Sequence, residues 1–186
     1  MSKIITITGA LGSGKSTIAG ILCEKLGFER YSTGQAQRKI AEKYGITTLE
    51  LNKRAEQDKS IDDEIDGVFK SLEENGRSYI IDSRMAWHFI PSSFKVKLEI
   101  DPVIAAQRVT KDSLRTNEDH ATLEETLENL KKRRASEVER FQKYYHVDIE
   151  DRKNFNLVID TSFKTPEEIV QIILDNFEKF QQKNLK

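Results

Sequence analysis

Residues 9–16, Gly9-Ala10-Leu11-Gly12-Ser13-Gly14-Lys15-Ser16, follow the pattern G-x-x-x-x-G-K-S. The β-branched run Ile4-Ile5-Thr6-Ile7-Thr8 precedes them. A helical pattern carrying Ile18, Ile21, Leu22 and Leu26 follows, and Gly27 closes it. Strand, glycine-rich turn and helix in that order form the context this motif requires. Glycines at 9, 12 and 14 let backbone N–H groups turn inward around a phosphate, where Cβ atoms would intrude. Lys15 brings positive charge to the β- and γ-phosphates, the Ser16 hydroxyl can ligate Mg2+, and the helix N-terminus adds its dipole. Gly9, Ala10, Leu11, Gly12, Ser13, Gly14, Lys15, Ser16 and Thr17 are therefore the expected ATP-binding segment.

Working outward, short β-branched runs alternate with longer helical patterns. That alternation predicts an α/β fold, a P-loop-type parallel sheet flanked by helices. Further strands are expected at Phe28–Tyr31, Ser78–Asp82, Phe94–Ile100 and Leu157–Asp160. Ser32 or Thr33 can cap a helix that runs to about Tyr44 and stops at Gly45. Between Thr47 and Asn75 lie two more helical patterns, one around Leu49, Leu51 and Ala55, the other around Ile61, Ile65, Val68, Phe69 and Leu72. Three helices are thus expected as an insertion over about 33–76. The polar stretch Lys111–His120 lacks apolar periodicity and reads as a flap, part of a lid over about 110–135. A long charged helix is expected from about Leu123 to Tyr145. Thr165-Pro166-Glu167-Glu168 opens the last helix with a cap, Pro and acids in the first turn. No repeat or linker is visible, so residues 1–186 are expected to form one domain.

The composition narrows the class. Of 186 residues 37% are hydrophobic and 33% charged, with thirty basic against thirty-one acidic residues and a formal charge of −1. Such a chain can bury a core, and it carries no global basic field for nucleic acid or anionic membrane. The basic run Lys131-Lys132-Arg133-Arg134 is diluted by Glu124, Glu125, Glu128, Glu137 and Glu139, so no nucleic-acid partner is expected. Cys23 alone excludes an intrachain disulfide framework. No apolar run approaches the ~18 residues of a membrane span. A soluble, cytoplasmic monomer is the expectation.

Guanine readers carry Asn-Lys-x-Asp, and the nearest string, Asn52-Lys53-Arg54-Ala55, lacks the aspartate. A transporter signature is also absent, which leaves a small-molecule kinase. An acceptor that is itself a phosphate calls for planar, bidentate donors. Arg38 follows Ser32-Thr33-Gly34 on a helix. Arg84 stands just past the third strand, where parallel sheets present their sites. Arg133, Glu137 and Arg140 share a narrow helical arc, which serves either a phosphate site or a surface salt-bridge ladder. Asp82, at a strand end, can hold a Mg2+-bound water or a structural hydrogen bond. Trp87 and Phe89 fit packing better than base stacking. His88, His120 and His146 lack ligand spacing.

An ordered string of segments runs over nearly the whole chain. It comprises the P-loop, Ser32-Thr33-Gly34 with Arg38, Ile81-Asp82-Ser83-Arg84, Ile100-Asp101-Pro102 with Arg108, Arg133…Ser136-Glu137…Arg140-Phe141, and Leu157-Val158-Ile159-Asp160-Thr161-Ser162. In this the chain resembles the compact, archaeal-type cytidylate kinases, a branch of the nucleoside monophosphate kinases. The resemblance implies a helical monophosphate-binding insertion and a closing lid. It further implies that Ser32, Gly34, Arg38, Arg84, Arg133 and Arg140 serve the acceptor and its phosphate, with Glu137 near a ribose. The implied reaction is phosphoryl transfer from MgATP to CMP or dCMP. A kinase for another small phosphate acceptor, or a nucleotide-binding regulatory ATPase, is the alternative. Gln35, Ser83 and Ala86 depart from the family pattern, which has an acid near the first and glycines at the other two, and the flap looks longer.

Overall fold

The computed structural model describes residues 3–112 and 122–184. Strand β1 (Ile4–Gly9) is buried along its whole length, as a continuous β-branched run should be when helices cover both faces of a parallel sheet. It is the middle strand of five in the order β2-β3-β1-β4-β5, and every pairing is parallel. The outer members are β2 (Glu29–Ser32), β3 (Tyr79–Asp82), β4 (Phe94–Glu99) and β5 (Leu157–Asp160). Helix α1 (Lys15–Leu26) follows β1 directly and ends at Gly27, which is left-handed at φ 66 and returns its N–H to Cys23 O.

Alternation along β1 divides the core. Ile5 and Ile7 face α1 and the last helix, α9 (Pro166–Asn184), packing with Leu22, Phe94, Ile173 and Phe177. On the other face Ile4 meets Phe69, Tyr79, Ile81 and Ile90. A third cluster of Met85, Trp87, Phe141 and Ile149 ties the segment after β3 to α8 (Leu123–Tyr145). The expected bounds of α8 agree with the observed ones. Its start is a capping box in which Thr122 and Glu125 bond each other's backbone, and its end is His146 at φ 56.

Between β2 and β3 the structure has four helices where three are expected: α2 (Thr33–Lys43), α3 (Thr48–Ala55), α4 (Lys59–Asp66) and α5 (Val68–Glu74). The second apolar pattern divides at Gly67, because its two halves bury against different neighbours. Phe69 and Leu72 of α5 pack on the sheet, whereas Asp62 and Asp66 of α4 face α8. The short α6 (Ala86–Phe89) is a further element that periodicity does not foresee. Helix α7 (Pro102–Lys111) starts at the expected proline and leads into the expected flap, of which residues 113–121 lie outside the described residues. No described helix is long and apolar enough to cross a membrane.

This topology gathers the ends of β1, β2 and β3, at Gly9, Ser32 and Asp82, on one edge of the sheet. The crevice beside the carboxyl ends of parallel strands is where such sheets bind ligands.

Candidate active site

The loop after β1 is shaped by close approach. A Cβ on Gly9, at φ 151, would stand 2.3 Å from Leu98 O. A Cβ on Gly12, at φ 82, would stand 2.8 Å from Ala105 O. Both positions exclude any side chain, so β4 and α7 press the loop into its curve. Three further groups staple it. Thr161 Oγ1 donates to Ser13 O at 3.2 Å, Arg108 Nη1 to Gly12 O at 3.4 Å, and Arg108 Nη2 to Thr161 O at 2.8 Å. Arg108 and Thr161 therefore set the loop's outer wall, a role that needs the tertiary structure to be seen.

Lys15 Nζ donates to Ala10 O at 2.8 Å, and Ser16 Oγ donates to Asp82 Oδ2 at 2.8 Å. Ser16 and Thr17 are exposed at the first turn of α1, while Asp82 is buried. The donor set at this corner is one hydroxyl and one carboxylate, hard oxygen ligands of the kind Mg2+ takes alongside substrate phosphates and water. These residues fit that ion. Arg30 Nη2 lies 3.8 Å from the same Asp82 oxygen.

Arg84 stands just beyond β3 with its carbonyl fixed twice, by Trp87 Nε1 at 2.8 Å and by Thr8 Oγ1 at 3.3 Å. Trp87 is thus a packing residue that also anchors Arg84. Ser83 has a local task as well: its hydroxyl accepts from the N–H groups of Met85 and Ala86, closing the turn into α6. The Arg84 side chain points at Glu137 of α8, with Nε 2.7 Å from Oε1. Arg133 Nε is 3.4 Å from that oxygen, and Arg134 Nη1 is 3.5 Å from Oε2. Burial alone would raise the Glu137 pKa, but the three guanidiniums outweigh it and hold the carboxyl down at about 2. A surface ladder does not describe this helix face, because Glu137 and Arg140 are both buried.

Arg140 turns toward the helices between β2 and β3. Its Nε is 3.3 Å from Asp62 Oδ2, and its Nη1 donates to Asn52 O at 3.3 Å. Nearby, Tyr145 Oη donates to Asp66 Oδ2 at 2.8 Å. Burial raises both carboxyls, Asp62 against the pull of Arg140, and Asp66 up to about 7. Burial also raises Tyr145, with Asp66 beside it adding to the effect. Asp62, Asp66 and Arg134 were not foreseen from sequence, since their partners lie far along the chain. Arg38 stands apart, exposed on α2, with Nη1 3.9 Å from where a Gly34 Cβ would lie. Ser32 is buried at the start of α2, and Gln35 is exposed.

Two cavities meet at Arg84. A cavity of about 690 Å³ is lined by Ala10 and Leu11 of the loop and by Arg84, Arg133, Arg134 and Glu137. A second, of about 20 Å³, is lined by Gln37, Asp62, Asp66, Ser83, Arg84 and Arg140. It has room for little more than one water.

A phosphate-binding loop facing an arginine-lined wall at the carboxyl edge of a parallel sheet defines a P-loop phosphotransferase. The model of the cytidylate kinase-like family matches residues 4–163. A cytidylate kinase of Natronomonas pharaonis is 34% identical over 172 residues, covering 91% of this chain and 86% of that one. An S-adenosylmethionine-dependent nucleotide dehydratase of Lacinutrix mariniflava is 33% identical over 180 residues, covering 96% of this chain but 37% of that protein. Among solved structures, shikimate kinase of Bacteroides thetaiotaomicron shares the fold at a TM-score of 0.62 and 16% identity, covering 95% of this chain and 98% of the other. The chain belongs to the cytidylate kinase-like family, and it is a kinase of the nucleoside monophosphate class.

Proposed function

We propose that the chain transfers the γ-phosphoryl group of MgATP to CMP or dCMP, giving ADP and the nucleoside diphosphate. One observation carries this reading: the phosphate loop and the Arg84–Arg133–Arg134 cluster wall the same cavity. One wall suits the donor's phosphates and the other an anionic acceptor.

The attacking group is a phosphate oxygen, anionic near neutral pH, so no strong general base is required. Catalysis is then positioning and charge compensation. In the ATP-bound enzyme Lys15 leaves Ala10 O for the β- and γ-phosphates, and the loop N–H groups hold the rest of the chain of phosphates. Ser16 would ligate Mg2+ and Asp82 would hold one of its waters. The ion supplies charge neutralisation of the transferring group. Arg84, Arg133 and Arg140 exchange their carboxylate partners for phosphate oxygens, while Glu137 orients them and meets the ribose.

The small cavity is where the acceptor base enters, and Asp62 and Asp66 supply oxygens that accept from an exocyclic amine. That chemistry favours cytosine over uracil. Because the cavity holds little more than one water as it stands, helices α2–α5 must part from α8 to admit a base and close over it. Closure would bring Ser32, Gly34 and Arg38 to the acceptor and exclude water, a competing acceptor. In this account α2–α5 and the segment around 110–135 are the moving parts of one domain.

The test is ADP release with CMP, dCMP, UMP, AMP and GMP, each against water. CMP or dCMP should be fastest. A preference for UMP or a purine would overturn the base assignment and leave the kinase standing.

A further inference from the structure

Lys97 lies within β4, 3% exposed, and none of the chemistry above uses it. Its ammonium group donates to Ile149 O at 3.2 Å, Glu150 O at 3.1 Å and Glu150 Oε2 at 2.8 Å, so all three hydrogens are taken. The Phe155 ring lies 5.5 Å from the nitrogen. A buried lysine is tolerated only when paired and hydrogen-bonded, and here the pairing reaches the segment just after α8.

Glu150 passes the contact on. Its Oε1 accepts from Arg134 Nε at 2.6 Å. Arg134 in turn presents Nη1 to Glu137 Oε2 at 3.5 Å, and the other oxygen of Glu137 faces Arg84 and Arg133. Charges of alternating sign thus run from the sheet to the cavity wall in the order Lys97, Glu150, Arg134, Glu137, Arg84. Without Glu150, Arg134 would be one more basic side chain on a helix whose neighbour Lys132 projects into solvent.

We propose that Lys97 and Glu150 are positioning residues for the acceptor site. They hold Arg134 against Glu137, and so fix the carboxylate that orients Arg84 and Arg133. The proposal rests on the reading of that wall as the acceptor side, and it adds two residues that touch no substrate.

Glu150 is half exposed, so its truncation spares the core. The experiment is Glu150→Ala, with Glu137 followed by carbon NMR titration of labelled glutamate and with steady-state kinetics on CMP and ATP. Deleting a negative charge would by itself lower the Glu137 pKa. The relay predicts the opposite, a rise of about one unit, because Arg134 swings away. The acceptor KM should rise about five-fold while kcat and the ATP KM stay within about two-fold, a split that loss of folded enzyme would not produce. Lys97→Met should move both readouts the same way, and Glu150→Ala should add nothing in an Arg134→Ala background. A Glu137 titration that stays put or falls overturns the relay, whatever the acceptor proves to be. A raised titration with an unchanged acceptor KM overturns its role in binding. Failure of the wild-type protein to use CMP, with the titration shifted as expected, refutes the substrate assignment and leaves the relay intact.

Discussion

Arg84 Nε stands 2.7 Å from Glu137 Oε1, and both side chains are largely out of solvent. A guanidinium past the third strand and a carboxylate on α8, distant in sequence, are each other's partner in the empty site. An acceptor phosphate must therefore displace a carboxylate to win Arg84. Arg84→Ala should raise the monophosphate KM by at least about ten-fold, the loss of roughly 1.4 kcal/mol, with a smaller effect on ATP. Separate KM values for the two substrates check this. Impaired ATP binding alone would move Arg84 to the donor side.

Glu137→Gln tests the same pair from the other end. The Glu137 carboxyl is held near pH 2 in the folded chain against an ordinary value of 4.5. A group depressed on folding contributes stability that is present above its unfolded pKa and is lost as pH falls through the folded one. The stability gap between wild type and Glu137→Gln should thus be full above about pH 4.5 and close toward about pH 2. Denaturant titrations across that window measure it. At neutral pH the variant should raise the acceptor KM and nearly keep kcat.

Asp66 should behave with the opposite sign. Burial raises its carboxyl from 3.8 to about 7. The folded state then binds the proton more tightly, so stability is full below the unfolded value and falls as pH rises through about 7. Thermal melts from about pH 5 to pH 8 should show wild type losing ground against Asp66→Asn. Parallel curves would mean that the Asp66–Tyr145 contact does not hold the proton.

The metal corner gives a fourth expectation. Asp82→Asn keeps an acceptor for the Ser16 hydroxyl but removes the charge, so it should raise the Mg2+ concentration needed for half-maximal rate. Chelation of Mg2+ should stop turnover in both proteins. An unchanged Mg2+ dependence would confine Asp82 to a structural bond.

The parts of this site legible in the sequence are those whose physics is local. The phosphate loop is a contiguous motif, and α8 announces itself by a capping box and by a long charged pattern. The spacing of Arg133 and Glu137 correctly places them on one face, since they pair at i,i+4. What escaped depends on contacts across the fold. Asp62 and Asp66 sit in the acidic run Asp58–Asp66, which reads as a solvated helix face until α8 is laid over it. Arg134 looked like part of a basic patch, and Glu150 like a loop acid, because nothing in their spacing couples them. Gly67 looked compatible with one continuous helix, since its backbone is helical at φ −59 and ψ −18, yet α4 and α5 part there. Ser83 was read as facing the acceptor, while its hydroxyl in fact also serves two backbone N–H groups of a turn.

The central claim is that this cavity couples ATP to a phosphate acceptor instead of to water. ADP release with saturating CMP against none, in the wild type and in Lys15→Ala, tests it most directly. Lys15 is a half-buried residue of the loop, so its truncation should leave the fold intact on a thermal melt. The account predicts that CMP accelerates the wild type by about a hundred-fold or more, close to 3 kcal/mol of barrier, and that Lys15→Ala abolishes most of that gain. Equal ADP release with and without CMP, or near-wild-type turnover in a folded Lys15→Ala protein, would contradict it.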